Sequence, residues 1–451
     1  MSRTYDAIVI GGGQAGPFLA ARLAGAGQRT ALIERRFMGG TCVNDGCQPT
    51  KTLVASARVA YLARRAADFG VSTGPVGVDM AAVKARKDKV VLASREGLDN
   101  WMESTENLTV IRGSAVFNGP HTVEVNGVEL EGAQIFLNTG ARAVVPDWAQ
   151  GVPYLTNTTV LELDTLPRHL IIVGGSYIAL EFAQMFRRFG AEVTVLARGK
   201  LASREDDDVR ETIQQILTGE GITVVTGAGE MSAEQRGDDI AVRHEGGEVV
   251  GSHLLLAVGR VPNVEDLSLE KAGIALDGDG YIAVDDKLRT NVPHIYALGD
   301  VNGRGAFTHT SYNDFEIVSQ NLLDGADRKV SERVPAYAMY IDPPLGRAGM
   351  CEADVRASGR KALVATRPMT RVSRANERAE NLGFMKVFAD AETREILGVA
   401  LLGIEGDEVM QSLLQAMKAG TTVDTIIGTM HVHPTVSELV PTLLGDLKPL
   451  E

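Results

Sequence analysis

Residues 5–34, YDAIVIGGGQAGPFLAARLAGAGQRTALIE, read as an apolar run, a glycine turn, a helix and a second apolar run. Residues 169–200, HLIIVGGSYIALEFAQMFRRFGAEVTVLARGK, repeat that order. Such a βαβ unit places a dinucleotide at its helix N-terminus, so two copies predict an α/β chain with two Rossmann-like dinucleotide-binding domains. In the first copy Gly11, Gly13 and Gly16 take the fingerprint positions. Gly13 lets the backbone approach a pyrophosphate, Gly16 permits close helix packing, and Pro17 falls in the first turn, where its missing N–H costs little. Glu34 follows Gly11 by 23 residues, at the end of the second strand, where a carboxylate can accept ribose hydroxyls. In the second copy the same positions hold Gly174, Ser176 and Ala179, and the equivalent of Glu34 is Ala197. With no carboxylate there and Arg198, Lys200 and Arg204 just beyond, that site suits the 2′-phosphate of NADP; a solvated basic loop is the alternative.

At 451 residues the chain has room for about three domains. After the second unit, VVGSHLLLAVGRVPN and a segment ending PHIYALGD read as strands terminated by glycine. From about residue 336 the stretches ALVATRPM, GFMKVFAD and ILGVALLGI surround a helix near GDEVMQSLLQAMKAG, which predicts a third, α+β domain. The balance of 45 basic against 58 acidic residues, a formal charge of −13, offers no field for nucleic acid or an anionic membrane, so neither partner is expected. The apolar runs stop at glycines far short of the ~20 residues needed to cross a bilayer, and MSRTYDAIVIGGG lacks a signal-peptide pattern. A cytoplasmic location is expected.

Two of the three cysteines, Cys42 and Cys47, fall in GGTCVNDGCQPTK at 39–51. On one ideal helix, positions i and i+5 lie about 140° apart and over ~7 Å along the axis, so at least one sulfur of a closable pair must sit off the helix. Pro49 places a helix start near Cys47, with Cys42 in the incoming loop. The helix N-terminus and Lys51 would stabilise a thiolate at Cys47. Zinc would need two more ligands at sensible spacing, and Cys351 is isolated, so no metal is expected. That leaves a reducible pair or two buried structural thiols. Near the C-terminus, HVHPTVSEL places Glu438 five residues after His433, and a carboxylate-held imidazole is a general acid/base.

Together these motifs, with YALGD at 296–300 and HPTVSE at 433–438, resemble the flavoprotein disulfide reductases, a group that includes glutathione reductase, dihydrolipoamide dehydrogenase and mercuric reductase. The resemblance runs essentially end to end. It implies that the first unit binds FAD, the second binds the nicotinamide cofactor, and the last domain makes a homodimer. The implied division is 1–149 and 281–335 for FAD, 150–280 for NAD(P)H, and 336–451 for the dimer interface. Cys47 matches the sulfur nearest the flavin, and Cys42 the thiol that attacks substrate. Lys51 and Glu181 match the pair beside the flavin's reactive edge, and Asp300 the carboxylate on its ribityl chain. Gly40, Thr41, Ala115, Thr139 and Gly140 match FAD contacts. Tyr177, Ile178 and Gly259 join Gly174 and Ser176 on the nicotinamide side. His433 and Glu438 match the dyad that each subunit of these dimers lends to the other.

VTVLAR at 193–198 followed by RED at 204–206 is most similar to mercuric reductases, and the spacing of Arg198 and Arg204 also suits NADPH-using glutathione reductases. The terminal cysteine pair of mercuric reductases is missing, and His433 stands where they carry tyrosine. Ala21 stands where glutathione reductases commonly place a substrate-binding arginine, with Arg22 about 100° round the helix. Dihydrolipoamide dehydrogenases favour NAD and an acidic residue in place of Ala197. The expected activity is therefore NADPH-dependent reduction of a small disulfide: glutathione-like, or of the thiohistidine, mycothiol or bacillithiol type. Rival readings are a mercuric ion or quinone reductase, a dihydrolipoamide dehydrogenase, and a redox sensor without turnover.

Overall fold

The first apolar run forms the strand Arg3–Ile10 in the computed structural model, which describes residues 3–451. It pairs in parallel with Thr30–Glu34 on one side and Val128–Leu137 on the other. Leu108–Arg112 extends the sheet beyond Thr30–Glu34, and Ile295–Ala297 pairs with the far end of Val128–Leu137, both in parallel. Ala7, Ile8 and Val9 are fully buried, because Ala7 and Val9 face helices on one side and Ile8 faces the strand residues Phe117, Val123 and Val125 on the other; hence the run is continuously apolar rather than alternating. Helix Gly16–Gly25 buries Leu19 and Leu23 against Phe136 and Leu298. An antiparallel pair, Ala115–Gly119 and Thr122–Val125, continues the edge of Val128–Leu137.

The second unit forms its own parallel sheet, in the order Thr223–Val225, Glu192–Leu196, His169–Val173, His253–Leu256. Helix Tyr177–Phe189 follows the strand His169–Val173 and ends at Gly190, whose φ of 118° few other residues could adopt. The stretch VVGSHLLLAVGRVPN is not one strand. Gly247–Gly251 belongs to a three-stranded antiparallel ribbon, His253–Leu256 to the parallel sheet, and Arg260–Pro262 pairs back to Ala141–Ala143. Glycine makes both breaks: a Cβ on Gly251 would press on Ile171, and Gly259 has φ 135°.

From Ala336 onward six strands form an antiparallel sheet, and helix Gly406–Lys418 packs Met410 and Leu413 into the core with Val399 and Leu401. The architecture is thus the α/β pair of nucleotide-binding sheets with an α+β C-terminal part. Ion pairs fix the parts to each other. Buried Arg188 bridges Glu220 and Asp342, and Arg58 reaches Asp342 and Glu380. Arg58 and Arg188 lie on helices Cys47–Arg64 and Tyr177–Phe189, which also carry Lys51 and Glu181. Among the described residues no helix is long and apolar enough to cross a membrane.

Candidate active site

The cysteine segment is helical on both sides of a break. Cys42 lies in the short helix Gly40–Asn44 rather than in a loop, and Cys47 opens the long helix Cys47–Arg64. Gly39 and Gly40 both have positive φ, 92° and 55°, which turns the chain sharply into the short helix. A Cβ on Gly40 would meet Gly13 Cα at 2.8 Å, so the segment lies directly on the first glycine loop. Asn44 secures the turn by donating to the carbonyls of Met38 and Gly40 at 3.0 and 2.9 Å.

One cavity of about 700 Å³ runs from that glycine loop to the two sulfurs. Gly11, Gly13 and Glu34 line one end, and Gly40, Thr41, Cys42, Cys47 and Lys51 the other. Ala115, Thr139, Gly140, Tyr177, Ile178, Glu181 and Asp300 complete it from later parts of the chain. Gly16 lies behind the loop, where its N–H donates to Asn138 Oδ1 at 3.0 Å. Glu34 accepts from the N–H groups of Gly12 and Arg36, both at 2.6 Å, and a carboxylate so held still has lone pairs for two hydroxyls. A side chain at Gly13 would strike Asn138 Oδ1 at 2.7 Å. This bare loop at a helix N-terminus, with a carboxylate at the end of the second strand, fits FAD.

At the sulfur end the electrostatics separate the two thiols. A hydrogen bond from Cys42 lowers Cys47 to about 6, helped by Thr308 and the Lys51 charge against opposing burial, and the same hydrogen bond and burial push Cys42 above the ordinary thiol range. Thr308 Oγ1 is 3.3 Å from Cys47 Sγ and begins helix Thr308–Leu323, so two helix N-termini face this sulfur. The environment therefore favours the thiolate on Cys47 and the proton on Cys42. Lys51 Nζ donates to Glu181 Oε2 at 2.7 Å, and Glu181 is buried. Burial raises the Asp300 carboxyl, offset by Arg260 at 2.7 Å.

A second cavity, of about 1230 Å³, is lined by Ser176, Tyr177, Ile178, Arg204 and Gly259. It shares Tyr177, Ile178 and Arg260 with the first. Gly174 lies beneath it with φ 141°, against the Ala257 backbone. Arg198 lies on the exposed turn after Glu192–Leu196, outside both linings. Among the described residues neither Arg198 nor Arg204 has an acidic partner within ion-pair distance. Lys200 is held loosely by Asp207 at 3.4 Å.

His433 and Glu438 meet each other but not the cysteines. His433 Nδ1 is 2.9 Å from Glu438 Oε2, which places the Nδ1 proton toward the carboxylate and leaves Nε2 facing out. The His433 side chain is 74% exposed, and Met430 and Val432 beside it are 93% and 74% exposed.

Four further residues of the site were not picked out from the sequence. Asn138 ties the glycine loop to the Leu298 carbonyl, and Arg260 pairs with Asp300. Thr308 contacts Cys47, and Tyr340 donates its N–H to Glu181. Arg260 alone had a local signal, directly after the glycine that ends an apolar run.

The profile of the pyridine nucleotide-disulphide oxidoreductases matches residues 5–314, and that of the family's dimerisation domain matches 335–444. A probable pyridine nucleotide-disulfide oxidoreductase, RclA of Escherichia coli (strain K12), is 36% identical over 98% of this chain and 99% of its own length. A mercuric reductase of Lysinibacillus sphaericus is 32% identical over 96% of this chain and 81% of its own length. Among solved structures, a Cu(II) complex of the HOCl-induced flavoprotein disulfide reductase RclA from Escherichia coli superimposes with a TM-score of 0.90. It is 34% identical, and the match covers 99% of each chain.

Proposed function

The chain belongs to the pyridine nucleotide-disulphide oxidoreductases, and from that premise we propose that it is a homodimeric FAD enzyme that uses NADPH to reduce a low-molecular-weight disulfide. The observation that carries this reading is the meeting of Cys42, Cys47, Lys51 and Glu181 at one end of a cavity whose other end is a dinucleotide loop. On this reading residues 1–149 and 281–335 hold FAD, 150–280 the nicotinamide cofactor, and 336–451 the dimer interface. FAD supplies the two-electron carriage between nicotinamide and sulfur.

The protein's residues account for the sulfur chemistry. Reduction of the Cys42–Cys47 disulfide leaves a thiolate on Cys47 and a thiol on Cys42, the distribution their hydrogen bonding favours. Cys42 then needs a base, and the partner subunit's His433 takes its proton. The Cys42 thiolate attacks one sulfur of the substrate, forming a mixed disulfide and expelling a thiolate, to which His433 returns the proton. Cys47 attacks Cys42 Sγ, re-forms the internal disulfide and releases the second thiolate. Lys51, anchored by Glu181, keeps a positive charge beside the sulfur that carries the negative one. Free Arg198 and Arg204 favour NADPH over NADH.

Arg22 is turned to Asp324 at 2.7 Å, which favours a disulfide other than glutathione's. A second acceptor class, a metal ion, is favoured by the Cu(II) complexes of the similar RclA structure, one of them of a cysteine-to-serine variant. NADPH oxidation by the purified protein, assayed with small disulfides and separately with Cu(II), tests both. Turnover with a disulfide that His433→Ala abolishes supports the first reading; turnover only with Cu(II), unaffected by that change, replaces it with the second.

A further inference from the structure

Lys51 carries its charge on a four-carbon stem, and its side chain is 31% exposed. A single ion pair to Glu181 would leave such an ammonium free to swing into the cavity. Two further contacts come from one residue on a distant strand end. The Tyr340 backbone N–H donates to Glu181 Oε1 at 2.8 Å, which fixes the carboxylate from the side opposite Lys51. The Tyr340 ring stands 4.6 Å from Lys51 Nζ, within reach of a cation–π contact. Tyr340 lines the same cavity as Cys47 and is 37% exposed, so its ring is not needed to fill a core.

We propose that Tyr340 is a positioning residue for the proposed reaction: its ring and its backbone N–H hold the Lys51–Glu181 pair in the orientation that keeps the ammonium beside Cys47. The proposal rests on the reading of Cys47 and Lys51 given above. The groups around Cys47 are Cys42, Thr308, Lys51 and Glu181, with Tyr177 and Tyr340 at the edge. Of these, Lys51 is the cation that the Tyr340 ring faces, at 4.6 Å. A looser ammonium favours the Cys47 thiolate less, whereas the phenol hydroxyl takes no part.

The test uses the holoenzyme with Cys42→Ser, in which Cys47 is a lone sulfur and its thiolate is read as long-wavelength flavin absorbance, lost on acidification. Tyr340→Leu is expected to move the midpoint of that loss upward by about half to one pH unit, as a cation–π contact predicts, and Tyr340→Phe to leave it in place. Equal midpoints for the Leu, Phe and parent proteins would overturn the proposal, as would equal shifts in Leu and Phe. Should the parent show no such band, the placement of Cys47 beside flavin fails instead. Tyr340 is then judged by acylation of Lys51, followed by peptide mass spectrometry. Several-fold faster labelling in the Leu protein than in Phe or parent upholds the positioning role, and equal rates reject it.

Discussion

Lys51 and Glu181, 130 residues apart in sequence, meet at 2.7 Å, with the lysine partly exposed and the carboxylate almost wholly buried. The asymmetry decides which partner can be lost. Removing Lys51 leaves a buried carboxylate facing only the Tyr340 N–H, whereas neutralising Glu181 leaves a cation that can reach water.

The first prediction follows from that asymmetry. Lys51→Met should destabilise the fold by about 2–4 kcal/mol, the range for breaking a buried pair, reduced here because one partner is partly exposed. Glu181→Gln, which keeps an acceptor for Tyr340, should lose less than about half of that. Urea unfolding of the two variants gives the comparison. A larger loss in Glu181→Gln would mean that the carboxylate's burial is not what matters.

The second concerns pH. In the reduced protein Cys47 is lowered from an ordinary thiol value of 9.0 to about 6, first by the Cys42 hydrogen bond and then by Thr308 and Lys51. The folded state therefore binds fewer protons than the unfolded state between those values. Stability from this thiolate is complete above about pH 9 and is lost as the pH falls toward about 6. Thermal melting of the reduced protein should show that decline, and Cys47→Ser should flatten it. Cys42→Ala should raise the Cys47 midpoint more than Thr308→Val does, and the reverse order would place the main donor at Thr308.

How much of this was legible in advance depended on distance along the chain. The glycine loop, Glu34 and the cysteine pair each lie within a few tens of residues of the signal that marks them, so spacing alone locates them. Thr308, Arg260 and Tyr340 reach the same cavity from far down the chain. Nothing local distinguishes Thr308 from any other residue that starts a helix. Spacing requires only that Cys42 lie off the helix that Cys47 opens, which a loop satisfies, but the positive φ of Gly39 and Gly40 starts a separate short helix there. His433 and Glu438 are five residues apart and meet at 2.9 Å, so their pairing is local, whereas their position away from the cysteines of the same chain follows from the fold and agrees with the lent dyad that the resemblance implies.

The third prediction addresses cofactor choice. A phosphate between two unpaired arginines makes charge-assisted hydrogen bonds worth roughly 1.5–3 kcal/mol each. Arg198→Ala combined with Arg204→Ala should therefore raise KM for NADPH at least about tenfold while changing that for NADH little. Initial rates over a range of each nucleotide decide it. A parallel rise in both would return these arginines to solvent.

The last prediction tests whether the site is shared. The exposure of His433, its distance in the fold from the cavity and the match to a dimerisation domain are together explained if each subunit lends its dyad to the other. His433→Ala and Cys42→Ser should then each abolish disulfide turnover by removing different halves of one site. When the two chains are mixed by unfolding and refolding or by co-expression, about half the dimers are hybrids. Every hybrid has one site that combines intact cysteines with an intact histidine, and one that lacks both. Random mixing should thus restore about a quarter of the wild-type activity, from two parents that have almost none. If His433 served its own chain, each hybrid would contain two sites with one defect each, and mixing would restore nothing. The recovered fraction therefore distinguishes a shared site from a private one.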